Sequence, residues 1–352
     1  MIRVRLLIPL AGIAVGALVA LAPGWSPAGG VPAADLIGAR AVRLPGGLDG
    51  SAVTAIAFTA DGQVVAGTAT GTVELRDANG AAAPAHARKV AASPIVQVAS
   101  SRDGLTVAAA TIRSVYVLSR PGLEVRDRIE VSGPDEAGIR SLALDAYGRL
   151  LAVGRLDVAV YDLGTGRRAI TLTAPPSGRH EQRGEYESLA FTPDTATLYA
   201  SDTFRTETWS VQGWKARSSF RCGCFHPLRW SATARWAGFG TADGHVLIRD
   251  GARGMTTRDV TAAPAPGSYI GDTAINDDAS MLLAGLNTGE VLAWTRDRDV
   301  PAGRIRVGTG EIALLRLSPN GRRLIIGERT ERFMEQAQAY HQNLWMVTVN
   351  SA

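Results

Sequence analysis

Short apolar segments alternate with polar turns along most of the chain. The clearest example is VTAIAFTADGQVVAGTATGTVELRD at residues 53–77, where the turns fall at Asp61-Gly62 and at Gly71. Apolar segments of this length, bounded by Asp-Gly and Gly turns, are typical of strands in antiparallel hairpins. Long amphipathic helical patterns are absent from the body of the sequence, so the pattern predicts an all-β fold.

The turn that follows the first of these strands recurs seven times, which indicates that the chain is built from repeated units. Successive copies are 39 to 47 residues apart, at Asp61, Asp103, Tyr147, Asp194, Thr233, Asp278 and Asn320. A second landmark, the end of the third predicted strand, recurs once after each of these turns. It falls at Asp77, Ser119, Asp162, Ser210, Asp250 and Thr295, and residues 344–347 are its equivalent in the seventh unit. Several strands, such as LLAVG at 150–154, are apolar on both faces. Such strands are expected where each small sheet packs between two others.

Three segments carry a resemblance to a known family. LAFTPD at 189–194, TADGHVLIRD at 241–250 and LRLSPNGRRLIIG at 315–327 resemble the strand–turn–strand core of the WD40 repeat. The Trp-Asp signature of that family is degenerate here, as in Tyr161-Asp162 and Trp209-Ser210, and the family's Gly-His pair is not visible at its usual place in the repeat. The resemblance covers roughly residues 36–350. It implies a seven-bladed WD40-like β-propeller with four antiparallel strands per blade.

The two ends of the chain complement each other. Residues 39–47 form a predicted strand that belongs to no unit, whereas the seventh unit lacks its fourth strand. The resemblance implies that the N-terminal strand closes the last blade, which would leave no blade with an uncovered face. We therefore expect deletion of residues 36–46 to open the ring and to lower the melting temperature.

The N-terminus differs from the rest of the sequence. Arg3 and Arg5 precede the uncharged segment 6–22, and a stretch rich in Pro, Gly and Ala follows. A basic start, an apolar segment and a small-residue exit are typical of a secretory signal. We predict that residues 1–33 are a signal peptide or membrane anchor with a short Pro/Gly/Ala linker, and that residues 34–352 are the propeller. The protein would then be exported to the extracellular space or cell envelope, or held at the membrane by an uncleaved N-terminal transmembrane helix.

The charge pattern argues against nucleic acid as a partner. The chain has 37 basic and 33 acidic residues, a net charge of +4, and its charges are scattered without a run of five basic residues. Nearly all the basic residues are Arg. The codons of Arg are GC-rich, as are those of the abundant Ala, Gly and Pro, so we interpret the Arg bias as a reflection of a GC-rich genome. A nucleic-acid binder would more often cluster its basic residues. We expect a monomer that touches the membrane only through its N-terminal helix.

Three insertions point to a binding surface. In the WD40 family, the loops between blades and those joining strands two and three share one face, and residues 174–186, 221–227 and 328–343 fall in such loops. Loops on a rigid scaffold often carry binding residues. The candidate partner-binding residues are Phe333, Met334, Tyr340, His341, His180 and Arg183. Phe333, Met334, Ala337, Tyr340, His341 and Leu344 also recur at helical spacing, which predicts a short amphipathic helix that is either a packed lid or a docking element.

Cys222 and Cys224 are the only cysteines. In an exported protein they would tend to be oxidised, as a local disulfide whose ring is tight and strained. Inert thiols, a redox-active pair, or ligands of a soft metal together with His226 and a histidine from another loop remain alternatives. A single Cys-x-Cys lacks the second half of a four-ligand site, so no metal is predicted.

The sequence contains no local catalytic signature: it has no Gly-x-Ser-x-Gly, His-Glu-x-x-His or phosphate-binding glycine loop. Asp202, Asp272 and Glu311 lie near strand ends and are interpreted as turn or capping residues. The prediction is a non-enzymatic, exported scaffold that binds a protein or peptide through its loop face and needs no cofactor. The alternative is an enzyme, or a cofactor- or metal-binding propeller, with a site at the mouth of the central channel.

Overall fold

The fold is all-β, and it confirms the predicted seven-bladed propeller. The computed structural model describes residues 37–77, 85–131, 138–173, 184–222, 224, 228–262, 266–329 and 343–350. These residues form seven separate sheets, each with four antiparallel strands. In the described segments there is no helix long and apolar enough to cross a membrane.

Blades 1 to 3 follow the first strand of the chain, and each is formed by four consecutive strands. The strands in this part are β1 (Ile37–Arg43), β2 (Val53–Phe58), β3 (Val64–Thr68), β4 (Thr72–Arg76), β5 (His86–Lys89), β6 (Gln97–Ser100), β7 (Thr106–Ala110), β8 (Ser114–Ser119), β9 (Glu124–Glu130), β10 (Ser141–Leu144), β11 (Leu150–Gly154), β12 (Val158–Asp162) and β13 (Arg167–Leu172).

Blades 4 to 6 repeat this arrangement with β14–β25, and the last three strands belong to blade 7. These strands are β14 (Ser188–Phe191), β15 (Thr197–Ser201), β16 (Arg205–Ser210), β17 (Lys215–Arg221), β18 (Arg229–Trp230), β19 (Trp236–Gly240), β20 (His245–Asp250), β21 (Thr256–Thr261), β22 (Ile270–Ile275), β23 (Met281–Leu286), β24 (Glu290–Thr295), β25 (Gly303–Arg306), β26 (Glu311–Leu317), β27 (Arg323–Arg329) and β28 (Asn343–Val349).

The hydrophobic core lies between neighbouring blades. β7 and β23, each the second strand of its blade, are buried along their whole length. Most core clusters combine residues of two adjacent blades; one joins Val153 of blade 3 to Val115 of blade 2, and another joins Ile325 of blade 7 to Ile56 of blade 1. A four-stranded blade therefore buries both of its faces only when it has a neighbour on each side, which explains why these strands are apolar on both faces.

The ring closes as the sequence predicts. β1 is the outermost strand of blade 7 and pairs antiparallel with β28, with Arg43 opposite Trp345. The Leu44 amide extends the pairing by donating to the Leu344 carbonyl at 2.8 Å. Backbone hydrogen bonds thus join the first described strand to the last one.

The recurring turn of the sequence has a common hydrogen-bond pattern. In four blades, the side chain of a Thr or Ser donates to an Asp or Asn two residues later: Ser101 to Asp103 at 2.6 Å, Ser318 to Asn320 at 2.8 Å, and likewise in blades 1 and 4. A polar side chain that bonds within its own turn favours the turn over an extended strand. This local preference sets the boundary between the first two strands of each of these blades.

The strand order defines two faces of the ring. In an antiparallel blade, the turns joining strands one to two and three to four lie at one end, and we call this end the turn face. The turns joining strands two to three lie at the other end with the connections between blades, and we call this end the loop face. The arrangement of loops implied by the WD40 resemblance is therefore the one that the strand order produces.

Candidate functional site

All six residues predicted to bind a partner lie outside the described residues. This applies to His180, Arg183, Phe333, Met334, Tyr340 and His341. Only the ends of the 328–343 insertion are described: Glu328 is part of β27, and Leu344, included in the predicted amphipathic helix, is part of β28. The strand placement of Leu344 follows from its backbone pairing with Gly327. The partner-binding role of the six residues stays a prediction.

Cys222 and Cys224 are paired with each other, and their Cα atoms are 5.1 Å apart. Both side chains are buried against Leu228 and Phe239 of blade 5. In the described part of the chain, no three His, Cys, Asp or Glu side chains come together as a metal ligand set. The redox role of the cysteine pair stays a prediction.

The loop face carries three exposed apolar side chains at related positions. Ile112, Leu156 and Phe204 lie in the turns that join strands two and three of blades 2, 3 and 4, and they are 42, 40 and 44% exposed. Single exposed apolar residues are common, but one at the same turn of three consecutive blades forms a regular pattern. We call these three residues the loop-face row.

The central channel contains a cavity of about 290 Å³. Residues from the innermost strands of all seven blades line it, among them Phe58, Gln97, Leu142 and Trp230, and Glu187 lines it from the position just before β14. This volume is close to the lower end of small-molecule pockets, which begin at roughly 300 Å³. The cavity combines apolar walls with several charged groups, so the arrangement of those charges decides what it could bind.

Two arginines in the channel replace the alanine of the other blades. The matching position on the first strand can be identified in every blade. The residue two positions after it donates a backbone N–H hydrogen bond to a carbonyl at, or just before, the start of the second strand. In five blades this position holds Ala57, Ala99, Ala143, Ala190 or Ala274. In blades 5 and 7 it holds Arg229 and Arg316, which line the cavity on either side of blade 6.

Asp272 of blade 6 joins these two arginines. Its Oδ1 accepts from Arg229 Nε at 2.6 Å and from the Thr273 amide at 2.9 Å. Its Oδ2 accepts from Arg316 Nη1 at 3.0 Å and from the Leu315 amide at 2.9 Å. With four donors, the carboxylate has its hydrogen-bonding capacity filled, so it holds the arginines in place and is itself closed to a ligand.

The electrostatics of this cluster follow from burial and proximity. Burial would raise the pKa of Asp272, whose side chain is 0% exposed, but Arg229 and Arg316 outweigh burial and hold that pKa below its usual range. Burial and the positive charge of Arg229 lower the pKa of Arg316 to about 10, so its guanidinium remains cationic at neutral pH. The side chains of Arg229 and Arg316 are 25 and 26% exposed, and both line the cavity.

Glu187 of blade 4 lines the same cavity and is a different kind of carboxyl group. Its side chain makes no hydrogen bond or ion pair with any residue that the structure describes. Burial raises the pKa of this carboxyl, and the nearby Arg140 and Arg229 only partly oppose the shift. A half-buried carboxyl without a partner, with a raised pKa and facing a cavity, is typical of a functional site.

The sequence interpretation of Asp272 as a turn or capping residue is wrong. Asp272 lies within β22, and its carboxylate bridges three blades. Arg229, Arg316 and Glu187 were not predicted as site residues at all. Alignment of the seven units contains a usable signal, because arginine stands at an alanine position in only two of them.

In comparisons with known proteins, no protein-family profile matches this chain and no curated protein sequence matches it. Its function is therefore inferred from the fold and from the two surfaces described above, the loop-face row and the channel.

Proposed function

We propose that the protein is an exported, WD40-like propeller that binds a protein or peptide partner on its loop face and acts as a monomeric, non-enzymatic scaffold. Export is supported by the signal-like segment within residues 1–33. The monomeric state is supported by β1, which fills the edge of blade 7 from within the same chain.

The loop-face row is the observation that carries this proposal. Ile112, Leu156 and Phe204 each expose about two fifths of an apolar side chain to water at the loop face. Burying such side chains against a partner is favourable by roughly 25 cal/mol per Å² of apolar area. The predicted insertion at 174–186 is described only from Gly184 onward, and the Gly184 amide donates to Asp202 Oδ2 at 3.3 Å, beside the turn that carries Phe204. A protein-binding surface accounts for both features.

The test places a photo-crosslinking amino acid at Leu156 in the cells that produce the protein. We expect a discrete crosslinked species that disappears when Ile112→Ser and Phe204→Ser are introduced, because the partner then loses its apolar contacts. The matched control carries the crosslinker at Tyr147, which is 62% exposed in a turn on the opposite face. Equal crosslinking from both positions, or none from Leu156, would contradict the proposal.

A second candidate function is a ligand-binding or catalytic site in the channel. It is favoured by the convergence of Arg229, Arg316 and Glu187 on one cavity, with Asp272 holding the two arginines in place. A pocket with a few convergent polar groups and a carboxyl of shifted pKa is a usual binding site in proteins of unassigned activity.

A further inference from the structure

We propose that the central channel binds a small organic carboxylate between the guanidinium groups of Arg229 and Arg316. This site is separate from the loop-face row and does not depend on the scaffold function. Three observations carry the proposal: the free donors of the two arginines, the charge balance around Asp272, and the unpaired carboxyl of Glu187.

The two guanidinium groups have donors to spare. Each has five N–H donors. Arg229 donates from Nε to Asp272, and Arg316 donates from Nη1 to Asp272 and to the Leu315 carbonyl at 2.8 Å. The described residues provide no other acceptor for either side chain. Both arginines line the cavity, where a carboxylate could accept two parallel hydrogen bonds from one guanidinium, the geometry that arginine favours.

The charge balance also favours an anion. Within the hydrogen-bonded cluster, Asp272 supplies one negative charge against two positive ones, and the positive charge of Arg229 contributes to the lowered pKa of Arg316. The carboxyl of Glu187 lines the same cavity but forms an ion pair with neither arginine. A monocarboxylate between the arginines would remove this repulsion in a half-buried site where charges are weakly screened. Because Asp272 holds both arginines in place before any ligand arrives, little side-chain ordering remains to oppose binding.

Glu187 narrows the class of ligand. Its unpaired carboxyl lines the same cavity, so a second carboxylate on the ligand would approach it unfavourably. A hydroxyl or ammonium group would instead give Glu187 a hydrogen-bonding partner, which no described residue provides. The expected ligand is therefore a hydroxy or amino acid small enough for about 290 Å³, and not a dicarboxylate. The carboxylate could belong to a free acid or to the C-terminus of a peptide.

Calorimetric titration of the full-length protein tests this inference. The probes are lactate, glycine, succinate, sulfate, and triglycine as the free acid and as its amide. We expect lactate, glycine or free-acid triglycine to bind, and succinate, sulfate and the amide to bind at least ten-fold more weakly. The source of the carboxylate is distinguished by whether the small acids or the peptide acid bind more tightly.

Matched variants locate the binding. Arg229→Gln and Arg316→Gln should each weaken binding by roughly ten-fold or more, which is the usual effect of losing hydrogen bonds to a charged group. Arg304→Gln removes the same charge from a side chain on the outer strand of blade 6 that is 66% exposed, and it should leave binding unchanged. Glu187→Gln should reduce the discrimination against succinate.

A measurement on the unmodified protein covers the case in which an arginine variant does not fold. Phenylglyoxal modifies accessible arginines, and the ligand should protect Arg229 and Arg316 but not Arg304 when the modified residues are mapped by mass spectrometry. The inference is overturned if no probe binds at millimolar concentration, or if the amide or sulfate binds as well as the acid. It is equally overturned if bound ligand protects neither channel arginine, or if folded Arg→Gln variants bind normally.

Discussion

At the scale of single residues, the two channel carboxyl groups affect the stability of the fold in opposite directions. Asp272 has a pKa below its usual value of 3.8, so its contribution is favourable above that pH and is lost as the pH falls through its folded pKa. Glu187 has a pKa above its usual value of 4.5. Its ionisation therefore disfavours the fold, and this penalty grows as the pH rises from 4.5 through the folded pKa.

We predict that Glu187→Gln stabilises the protein at pH 7, because it removes a carboxyl that is costly to ionise in the channel. The gain should vanish below pH 4.5, where the carboxyl is protonated in both the folded and unfolded states. Arg140, Arg229, Glu185 and Asp202 act on Glu187 and remain in the variant. Denaturant unfolding of both proteins across this pH range measures the difference. A gain that does not depend on pH would contradict the raised pKa.

Asp272→Asn is the matched comparison for Glu187→Gln. It leaves two neighbouring guanidinium groups without their shared counter-charge, and removing one partner from a buried ion pair costs about 3 kcal/mol. The free energy of unfolding should fall by about this amount at pH 7, and the difference from the unmodified protein should shrink under acid conditions. Equal stability of Asp272→Asn and the unmodified protein at pH 7 would show that Asp272 does not hold the channel arginines.

At the scale of elements, one turn conformation recurs in all seven blades. The turn between the first two strands places one residue at positive φ each time, and these residues are Gly62, Gly104, Gly148, Thr195, Ala234, Ala279 and Gly321. Glycine adopts this conformation without strain, whereas a side chain makes it costly. The non-glycine residues fall in blades 4, 5 and 6. Ala234 and Ala279 are buried, so packing of their methyl groups offsets the strain, whereas Thr195 is only half-buried.

We predict that Thr195→Gly raises the free energy of unfolding by about 0.5–1 kcal/mol, because it relieves a β-branched residue at a φ of 57°. Thr195→Ala, which keeps the Cβ atom, should raise the free energy of unfolding by less. The reverse exchange, Gly62→Ala, should cost about 1 kcal/mol. An added Cβ at Gly62 meets no atom within 4 Å, so only backbone strain would act there. Opposite signs for the two glycine exchanges in thermal or denaturant unfolding are the expected result.

At the scale of the whole molecule, the ring depends on the pairing of β1 with β28. Without β1, β28 would become an exposed edge, and blade 7 would have only three strands. Most core clusters along the ring combine residues of two neighbouring blades, so a weakness at this seam affects the stability of the whole ring.

We predict that a chain starting at residue 47, which lacks β1, melts roughly 10 °C or more below the full-length protein, since a few kcal/mol shift Tm by this amount in a protein of this size. It should also aggregate more readily through its unpaired edge. A chain starting at residue 34 keeps β1 and is the matched control, with an unchanged Tm. Melting followed by circular dichroism compares the three chains. Equal Tm values for the two truncated chains would contradict closure by β1.

The seven blades could be predicted from the sequence alone because their determinants are local. The turn at Ser101-Asp103, the glycine at 104 and the apolar strand that follows at 106–110 act within about ten residues of each other. The same pattern recurs every 39 to 47 residues, so seven units and the spare N-terminal strand could be counted. Local hydrogen bonds and strand periodicity determine these elements before any of them meets a neighbour.

The channel site, in contrast, could not be predicted from local sequence, because it exists only once the ring has formed. Arg229 and Arg316 lie 43 and 44 residues from Asp272, and each of the three side chains by itself looks like an ordinary charged residue of a strand. They meet because closure turns the first strands of blades 5, 6 and 7 toward a common axis. There, the two arginines outweigh the effect of burial on Asp272, whereas no described residue pairs with Glu187 and burial raises its pKa. The sequence thus determined the blades through short-range hydrogen bonding and periodicity, and the tertiary structure decided which charges come together at one partly buried cavity.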